Sequence, residues 1–374
     1  MNILILNWRD ITHPQAGGAE IHLHELAKRW ANLGHKVSML VPTYPGSKRE
    51  DVIDNVEVIR RGGTYSIYVE AFKYITENAR KFDVIFESIN TIPFLTPLYS
   101  PIPIVAQIYS IQNKKLLLYE FSPITFPVMF GPYLLSSSTP LIYRGCEIVT
   151  ISDYSKMELI RHGFNPSRVH VAYPGIPDNF IKLVNEVDGF VERPNHIVIY
   201  VGRLKKYKGV QDILRALPHV RKKIPDVKFW IVGKGDYKKE LEKLVKTLNI
   251  EDLVVFWGFV SERRKAELLK SSSLFVCTSI DEGGWTISAL EAQLCGVPVL
   301  LSPSQSNALI HGKTGYLVRD VNPRTLAEQI MKVLNNYELW KILSTNASNW
   351  AKDFTWDKTA SITLKALRAS ISRE

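Results

Sequence analysis

The amino-acid sequence predicts an α/β protein made of two Rossmann-like, doubly wound domains. The first observation is length, since 374 residues exceed what one core comfortably organises and fit two domains of roughly 150–200 residues each. The second is that short β-branched runs alternate with amphipathic helical stretches along almost the whole chain. The third is that these runs are continuously apolar, which is typical of buried parallel strands.

The predicted strands fall into two series, and each series is a candidate parallel sheet. The first series is 3–7, 36–41, 56–59, 84–86, 104–108, 148–151 and 169–172. The second series is 197–201, 228–232, 254–257, 274–277 and 297–301.

The boundaries of the domains follow from the gap between the two series. Residues 1–175 form the predicted N-terminal domain and 196–355 the predicted C-terminal domain. Between them, 176–195 is bounded by prolines and has few periodic positions, so it is interpreted as a linker. Residues 356–374 form a last helix.

Composition limits the class of protein and its partners. Lys and Arg number 47 and Asp and Glu 37, and this excess of 47 − 37 = 10 positive charges suits an anionic partner such as a membrane surface, nucleic acid or a phosphorylated small molecule. The three cysteines, Cys146, Cys277 and Cys295, have no Cys-x-x-Cys spacing. A reducing, cytoplasmic location is therefore expected, and the strand-like run after Met1 is not a secretory signal.

Residues 116–135 are apolar and aromatic and follow Lys114 and Lys115. Glu120 and three prolines within the stretch argue against a continuous membrane-spanning helix. Two interpretations stay open: a broken, buried hairpin, or a surface that enters the lipid interface and holds a lipid-linked acceptor.

The strongest motif runs from Asp281 to Glu291, between a predicted strand and a helix that opens near Thr286 or Ile287. Its glycines permit close approach of a ligand to the backbone, and the helix start offers free N–H groups to a phosphate. The two carboxylates, Glu282 on the loop and Glu291 inside the helix, suit sugar and ribose hydroxyls respectively.

A second strand, loop and helix start lies at 201–209 and carries Arg203 and Lys208. These cations can neutralise a diphosphate, and Arg can bind two of its oxygens at once. Lys205 and Lys206 are interpreted as a solvated face. A third loop, at 7–20, leads through Gly17 and Gly18 into a helix and offers another phosphate-facing helix start.

In order and spacing, these motifs resemble retaining glycosyltransferases of family 4, over nearly the whole chain. The resemblance rests on Gly-Gly-Ala-Glu at 17–20, Gly-His-Lys-Val at 34–37, Tyr-Pro-Gly-Ile at 173–176, the 202–209 loop, Ile-Val-Gly-x-Gly at 231–235, Gly258 and Leu-Glu-Ala at 290–292. It implies a GT-B fold, in which two Rossmann-like domains face a central cleft and the last helix packs back on the first domain.

The resemblance also implies a role for each matching residue. A UDP- or GDP-linked sugar would be the donor, no cofactor or catalytic metal would be needed, and the acceptor, lipid-linked or saccharide, would enter through the first domain. Arg203, Lys208 and Glu282 would be catalytic. The donor would contact Gly17, Gly18, Arg203, Lys208, Gly258, Phe259, Val260, Ile287, Ser288 and Glu291.

The sequence departs from the family pattern at three places, one of which is the loop at 302–308, where the family has Gly-Gly-x-x-Glu. Eight residues separate Glu282 from Glu291, one more than in the family, so the loop bulges or Gly283 takes the place of the first glutamate. Tyr109 stands where many relatives carry a histidine that meets the donor sugar. These departures keep open a second function, a nucleotide-sugar-binding protein with weakened catalysis.

Two other functions are disfavoured by the residues. An NAD-dependent dehydrogenase would need a Gly-x-Gly-x-x-Gly fingerprint, and the candidate at Gly233–Gly235 lacks the third glycine. A nucleic-acid partner is not expected, because the positive charges are dispersed and no recognised binding module is present.

Overall fold

The computed structural model describes residues 1–90, 92–109, 138–187, 195–280 and 283–373. The chain divides into two compact units. Unit 1 comprises Met1–Gly175 and Trp356–Glu374, and unit 2 comprises Ile176–Thr355. The apolar segment 116–135, for which two interpretations were open, lies outside the described residues, as do Asp281 and Glu282.

Unit 1 is built on an eight-stranded sheet in the order β3-β4-β2-β1-β5-β6-β7-β8. Neighbouring strands are parallel except for the β3–β4 hairpin at one edge. The strands are β1 (Asn2–Leu6), β2 (Lys36–Val41), β3 (Glu50–Ile53), β4 (Val56–Arg60), β5 (Val84–Ile89), β6 (Ile104–Ile108), β7 (Glu147–Thr150) and β8 (Val169–Val171). The helices are α1 (Gly18–Asn32), α2 (Ile67–Asn78), α3 (Asp153–Arg161) and, from the end of the chain, α11 (Trp356–Ile371).

The main core of unit 1 lies between its sheet and two helices. On α1, apolar residues recur at helical spacing, and Leu23, Leu26 and Trp30 are fully buried. Leu364 and Leu367 of α11 join the same cluster. The indole of Trp30 donates to the carbonyl of Ala360 at 3.3 Å, so α11 completes the core of unit 1.

Unit 2 contains a fully parallel six-stranded sheet in the order β11-β10-β9-β12-β13-β14. The strands are β9 (Ile197–Val201), β10 (Lys228–Val232), β11 (Val254–Gly258), β12 (Leu274–Cys277), β13 (Val299–Leu301) and β14 (Gly315–Leu317). The helices are α4 (Asp178–Glu186), α5 (Val210–Arg221), α6 (Lys238–Thr247), α7 (Glu262–Lys270), α8 (Ile287–Leu294), α9 (Pro323–Leu334) and α10 (Tyr337–Ala351).

The segment predicted as a linker differs from that prediction in its first half. Residues 178–186 form the helix α4, which belongs to unit 2 and packs against α7. Phe180 and Val184, one helical turn apart, are its buried residues. The nearby prolines favoured the prediction of a linker, whereas this short apolar stripe is typical of a helix. Among the helices of the described residues, none has both the length and the apolar character needed to cross a bilayer.

A buried ion pair ties the loop after β1 to the end of β4 in unit 1. The Arg60 Nε atom donates to Asp10 Oδ2 at 2.7 Å, and both residues are 2% exposed. Arg60 also donates to the Thr12 hydroxyl at 3.0 Å and to the Lys48 carbonyl at 3.1 Å. Burial by itself would raise the pKa of Asp10, but the bonds from Arg60 and Thr12 are together stronger and lower it.

We predict that Asp10→Ala destabilises unit 1 by roughly 3–5 kcal/mol, because it leaves the Arg60 charge buried without its partner. Native-state hydrogen exchange in β1 and β4 measures the effect, and the strands of unit 2 serve as an internal control. Asp10→Ala/Arg60→Met should recover part of the loss. Because the folded-state pKa of Asp10 is lowered, its contribution is present above the ordinary value of 3.8 and is lost as the pH falls through the folded-state pKa. An unchanged exchange rate in Asp10→Ala contradicts this role.

Candidate active site

The candidate site lies at the carboxyl edge of the unit 2 sheet, where the strand order reverses between β9 and β12. In open α/β sheets this switch point is where ligands bind. The loop after β12 contacts the loop after β9 through three bonds. The Thr278 hydroxyl donates to the Gly209 carbonyl at 2.8 Å, and the Ser279 hydroxyl and Ile280 N–H donate to the Tyr207 carbonyl at 3.3 and 2.9 Å.

Glycines allow the loops of this edge to approach each other at backbone distance. Gly209 has φ +75°, and a Cβ there would lie 2.3 Å from the Thr278 hydroxyl oxygen and 2.4 Å from its carbonyl oxygen. At Gly233, with φ +138°, a Cβ would lie 1.9 Å from the carbonyl oxygen of Gly202. The Gly233 N–H also donates to the Gly258 carbonyl at 2.7 Å. The loops after β9, β10 and β11 therefore form one continuous surface.

The two predicted catalytic cations are brought together on one aromatic ring. Arg203 is exposed, and its Nη2 donates to the hydroxyl of Tyr207 at 3.1 Å. The Nζ of Lys208 lies 5.2 Å from the centroid of the same ring. Lys205 instead donates to Asp236 at 2.6 Å. Tyr207, a buried residue, is therefore a contact that both cations share.

Helix α8 begins where the sequence predicted, with Thr286 as its N-cap and Ile287 as its first residue. Ile287 and Ser288 are half-buried, and their backbone N–H groups belong to the first turn, which has no intrahelical acceptors. Gly283 is buried with φ +58°. Glu282, the predicted contact of the donor sugar, lies outside the described residues.

The side chain of Trp285 is part of the packing of unit 2. It is 3% exposed, and its ring centroid lies 4.8 Å from that of Phe354 and 6.3 Å from that of Trp350. These contacts make Trp285 a packing residue. The tryptophan anchors the segment that leads into α8.

Glu291 lies on α8 and is 4% exposed. Its Oε1 accepts a bond of 2.8 Å from Lys265 Nζ, a residue of α7 that also donates to Glu262 at 2.9 Å. Burial raises the pKa of Glu291, and the Lys265 charge opposes that rise. Sequence reasoning missed Lys265, because its pairing with Glu291 depends on how two helices pack.

The end of β11 presents the residues predicted to meet the base. Gly258 has φ +67° with open space around the position of a Cβ, and Val260 is half-buried. Phe259 is 77% exposed, and Lys234 Nζ lies 5.0 Å from its ring centroid. An exposed aromatic ring beside a cation is a surface on which a planar base can stack.

In unit 1, Gly17 is the N-cap of α1, and its N–H donates to the Glu20 carboxylate at 2.7 Å. A Cβ added to Gly18 would meet no atom within 4 Å, so packing within the described residues does not require glycine there. The Tyr109 hydroxyl donates to the Ala19 carbonyl at 3.4 Å, which places this residue beside the start of α1.

At the carboxyl edge of the unit 1 sheet, neutral polar side chains lie beside the Asp10–Arg60 pair. Asn90 donates to the Asn7 side chain at 3.2 Å. Gln107 is fully buried, and neither amide atom has a hydrogen-bond partner among the described residues. His22 is buried as well, which lowers its pKa to about 3 and keeps the ring neutral. The sequence did not predict that these polar side chains come together. The one indication was Gln107, a polar residue in an otherwise apolar strand.

A metal ion would need a group of oxygen, nitrogen or sulfur ligands. In the part of the chain that the structure describes, no three His, Cys, Asp or Glu side chains come together in a way that could hold one.

Comparison with known proteins agrees with this architecture. A family model described as Glycosyl transferases group 1 matches residues 184–350, and one described as Glycosyltransferase Family 4 matches residues 16–180. Two uncharacterized glycosyltransferases of Methanocaldococcus jannaschii are similar to the chain. One is 29% identical over 226 residues, or 59% of this chain and 57% of that protein. The other is 25% identical over 414 residues, or 99% of both.

A solved structure shows the same fold. HepE of Anabaena in complex with UDP-glucose has a TM-score of 0.71 and 21% identity, and the match covers 99% of this chain and 100% of that chain. Two α/β units with parallel sheets and a neighbour of this kind confirm the prediction of a GT-B fold.

We predict that Gly209→Ala and Gly258→Ala separate backbone strain from steric exclusion. Both positions have positive φ, which costs a residue with a Cβ about 1–2 kcal/mol. Only at Gly209 would the Cβ also collide with Thr278. Gly209→Ala should therefore lower the melting temperature of unit 2 clearly more than Gly258→Ala does, as measured by calorimetry. Equal shifts would show that contact between the two loops does not constrain this site.

Proposed function

We propose that this chain, which belongs to glycosyltransferase family 4 of the group 1 type, transfers a hexose from a nucleotide-diphosphate sugar to a hydroxyl acceptor and retains the anomeric configuration. The observation that carries the proposal is the placement of Arg203 and Lys208 on the Tyr207 ring at the switch point of unit 2. Two cations held by one rigid ring suit the two phosphates of a diphosphate.

In this proposal, unit 2 binds the donor. Arg203 and Lys208 bind the diphosphate together with the N–H groups at Ile287 and Ser288. Glu291 accepts bonds from the ribose hydroxyls, and the strand end at Gly258, Phe259 and Val260 holds the base. The donor is UDP- or GDP-linked. HepE, which shares the fold, was solved with UDP-glucose, and this supports the choice of a sugar nucleotide.

The proposed reaction breaks the bond between the anomeric carbon and the diphosphate while a new bond forms to the acceptor oxygen on the same face of the sugar. The proton of the acceptor hydroxyl passes to the departing phosphate oxygen. Negative charge grows on the diphosphate as its bond breaks, so the Arg203 and Lys208 charges stabilise the transition state more than the ground state. No metal or cofactor takes part in this scheme, and Glu282 contacts the donor sugar.

The acceptor is proposed to bind unit 1. The neutral polar groups of Asn7, Asn90 and Gln107 suit hydroxyl groups, which both donate and accept hydrogen bonds. A saccharide or a lipid-linked saccharide fits this chemistry. The net charge of +10 favours work at the cytoplasmic face of a membrane, with the protein attached peripherally.

A second candidate is a nucleotide-sugar-binding protein of the same fold with weakened catalysis. It is favoured by the extra residue between Glu282 and Glu291 and by Tyr109 in place of a histidine. Donor binding without transfer or slow donor hydrolysis, across a panel of acceptors, would establish this candidate.

We predict that Arg203→Ala and Lys208→Ala each lower transfer about 10²–10³-fold, the usual effect of losing one group that stabilises developing charge. The measurement is turnover of purified protein, with thermal unfolding to verify that the fold survives. Lys205→Ala is the matched control, since that lysine is paired with Asp236 and should retain activity. Near-normal turnover in both site variants refutes the assignment.

We predict that UDP or GDP raises the melting temperature of the protein, because a ligand held by the native state stabilises it by about 2.7 kcal/mol at one hundred times Kd. A thermal-shift series with UDP, GDP and ADP, followed by their sugar conjugates, identifies the base and then the sugar. Arg203→Ala should abolish the shift. If none of the nucleotides changes the melting temperature, the proposed donor class is wrong.

A further inference from the structure

The Lys265 ammonium lies between two carboxylates on neighbouring helices of unit 2. It is 2.8 Å from Oε1 of Glu291 on α8 and 2.9 Å from Oε2 of Glu262 on its own helix, α7. The three side chains differ in exposure: 13% for Lys265, 5% for Glu291 and 46% for Glu262. The lysine therefore connects a buried acid to one that reaches solvent.

The surroundings hold this lysine in one place. Its Nζ lies 4.7 Å from the ring centroid of Phe180, a fully buried residue of α4. Lys270, one turn beyond on α7, donates to the Val187 carbonyl just after α4 at 2.5 Å. The segment that sequence alone suggested as a linker thus forms part of the wall behind Glu291.

In this arrangement only one of the two carboxylate oxygens of Glu291 has a hydrogen bond from the described residues. Oε1 is bonded to Lys265, while no described residue donates a hydrogen bond to Oε2. A carboxylate with one oxygen fixed and the other open is oriented before a ligand arrives, and charge-assisted bonds from hydroxyl groups to such an oxygen are strong. The helix α7 that carries Lys265 follows directly after the strand end at 258–260.

We propose that Lys265 is a positioning residue for nucleotide binding, which holds Oε1 of Glu291 so that Oε2 receives a ribose hydroxyl of the donor. The inference rests on the proposed function, because it takes Glu291 as the ribose-binding carboxylate. It adds a residue that touches neither donor nor acceptor and acts through Glu291.

The charged groups around Glu291 define what each substitution should do. Lys265 lowers the pKa of Glu291 against the larger effect of burial, and Glu262 raises it. Cys295 interacts with Glu291, Lys265 and Lys270, and the pKa of its thiol is raised out of the physiological range, chiefly by burial. Lys265 and Glu262 therefore act on Glu291 in opposite directions.

The test measures Kd for UDP and GDP as a function of pH by calorimetry. In Lys265→Met, Glu291 stays buried without its cation, so its carboxyl binds a proton at higher pH. We expect the Kd of the preferred nucleotide to rise at least tenfold at pH 7, and the affinity to return as the pH is raised. Lys265→Arg keeps the charge and should restore most of the affinity.

Glu262→Gln provides the opposite case. It removes the like charge near Glu291 and leaves Lys265 to one carboxylate, so nucleotide affinity should be kept at pH 7 and should persist to lower pH than in the wild type. Because Glu262 is half exposed, this variant should fold even if Lys265→Met does not. Lys270→Met is the control for loss of a lysine on α7 without loss of the Glu291 contact.

The outcomes separate the two claims. If the wild-type protein binds no nucleotide, the proposed function and this inference both fail. If the wild type binds and Glu291→Ala weakens binding, but Lys265→Met and Glu262→Gln leave the affinity and its pH profile unchanged, only the role of Lys265 is overturned. The role of Lys265 is also overturned if the pH profile of nucleotide affinity shifts in the same direction in Lys265→Met and Glu262→Gln. Only an electrostatic effect on Glu291 makes the two variants shift in opposite directions.

Discussion

Close backbone packing at the carboxyl edge of the unit 2 sheet is the constraint on which the candidate site depends. Gly209 against Thr278 and Gly233 against Gly202 leave no room for a Cβ. Because these loops touch at the backbone, the short turn Lys206–Lys208 starts at a fixed place and Tyr207 is buried there. The positions of Arg203 and Lys208 then follow from the ring they share. Backbone packing thus fixes Tyr207, and Arg203 and Lys208 both contact that side chain.

Both units also bury charged groups, and each does so with a partner. In unit 1 the pair of Asp10 and Arg60 joins the loop after β1 to the end of β4. Because desolvation offsets most of the attraction in such a pair, its main effect is to fix geometry. In unit 2 the pair of Lys265 and Glu291 has the same form, but one carboxylate oxygen is left without a bond. In the unit 1 pair the second carboxylate oxygen is bonded too, because Asp10 Oδ1 accepts from the N–H and the hydroxyl of Thr12. This difference is one reason why we propose Glu291 as a ligand-binding group.

The sequence predicted the features that depend on local pattern. All twelve predicted strands exist to within a few residues at their ends, because buried parallel strands are continuous apolar runs. Two strands of the described residues were not predicted from the sequence. In β3 (Glu50–Ile53), exposed and half-buried residues alternate, and the strand leads into a turn in which Asp54 and Asn55 have positive φ. Alternation followed by such a turn is a hairpin signal. The other, β14, has three residues and gains its pairing only from β13.

What the sequence did not predict depends on contacts between distant segments. The motif residues Arg203, Lys208, Ile287 and Glu291 were identifiable, but Lys265 is paired across 26 positions and has no motif of its own. In the same way, Phe180 reaches Lys265 only because α4 packs on α7. Spacing rules describe one helix or one loop at a time, so a residue that acts through a neighbouring helix is invisible to them.

The polar chemistry of the two units differs in a way that bears on which substrate each can recognise. The carboxyl edge of unit 2 presents cations, a helix start and the carboxylate of Glu291, and this set suits a ligand with two phosphates and a diol. The corresponding edge of unit 1 contains buried amides and a histidine whose low pKa keeps it neutral, and there the charges of Asp10 and Arg60 are paired with each other. Neutral donors and acceptors bind hydroxyl groups without paying to desolvate a charge. Gln107 is buried, and both of its amide atoms lack a hydrogen-bond partner among the described residues. This burial lowers the stability of the fold unless a hydroxyl-bearing ligand or a water molecule bonds to the amide. The residues of unit 2 therefore favour a charged donor, and the residues of unit 1 independently favour an uncharged, hydroxylated group.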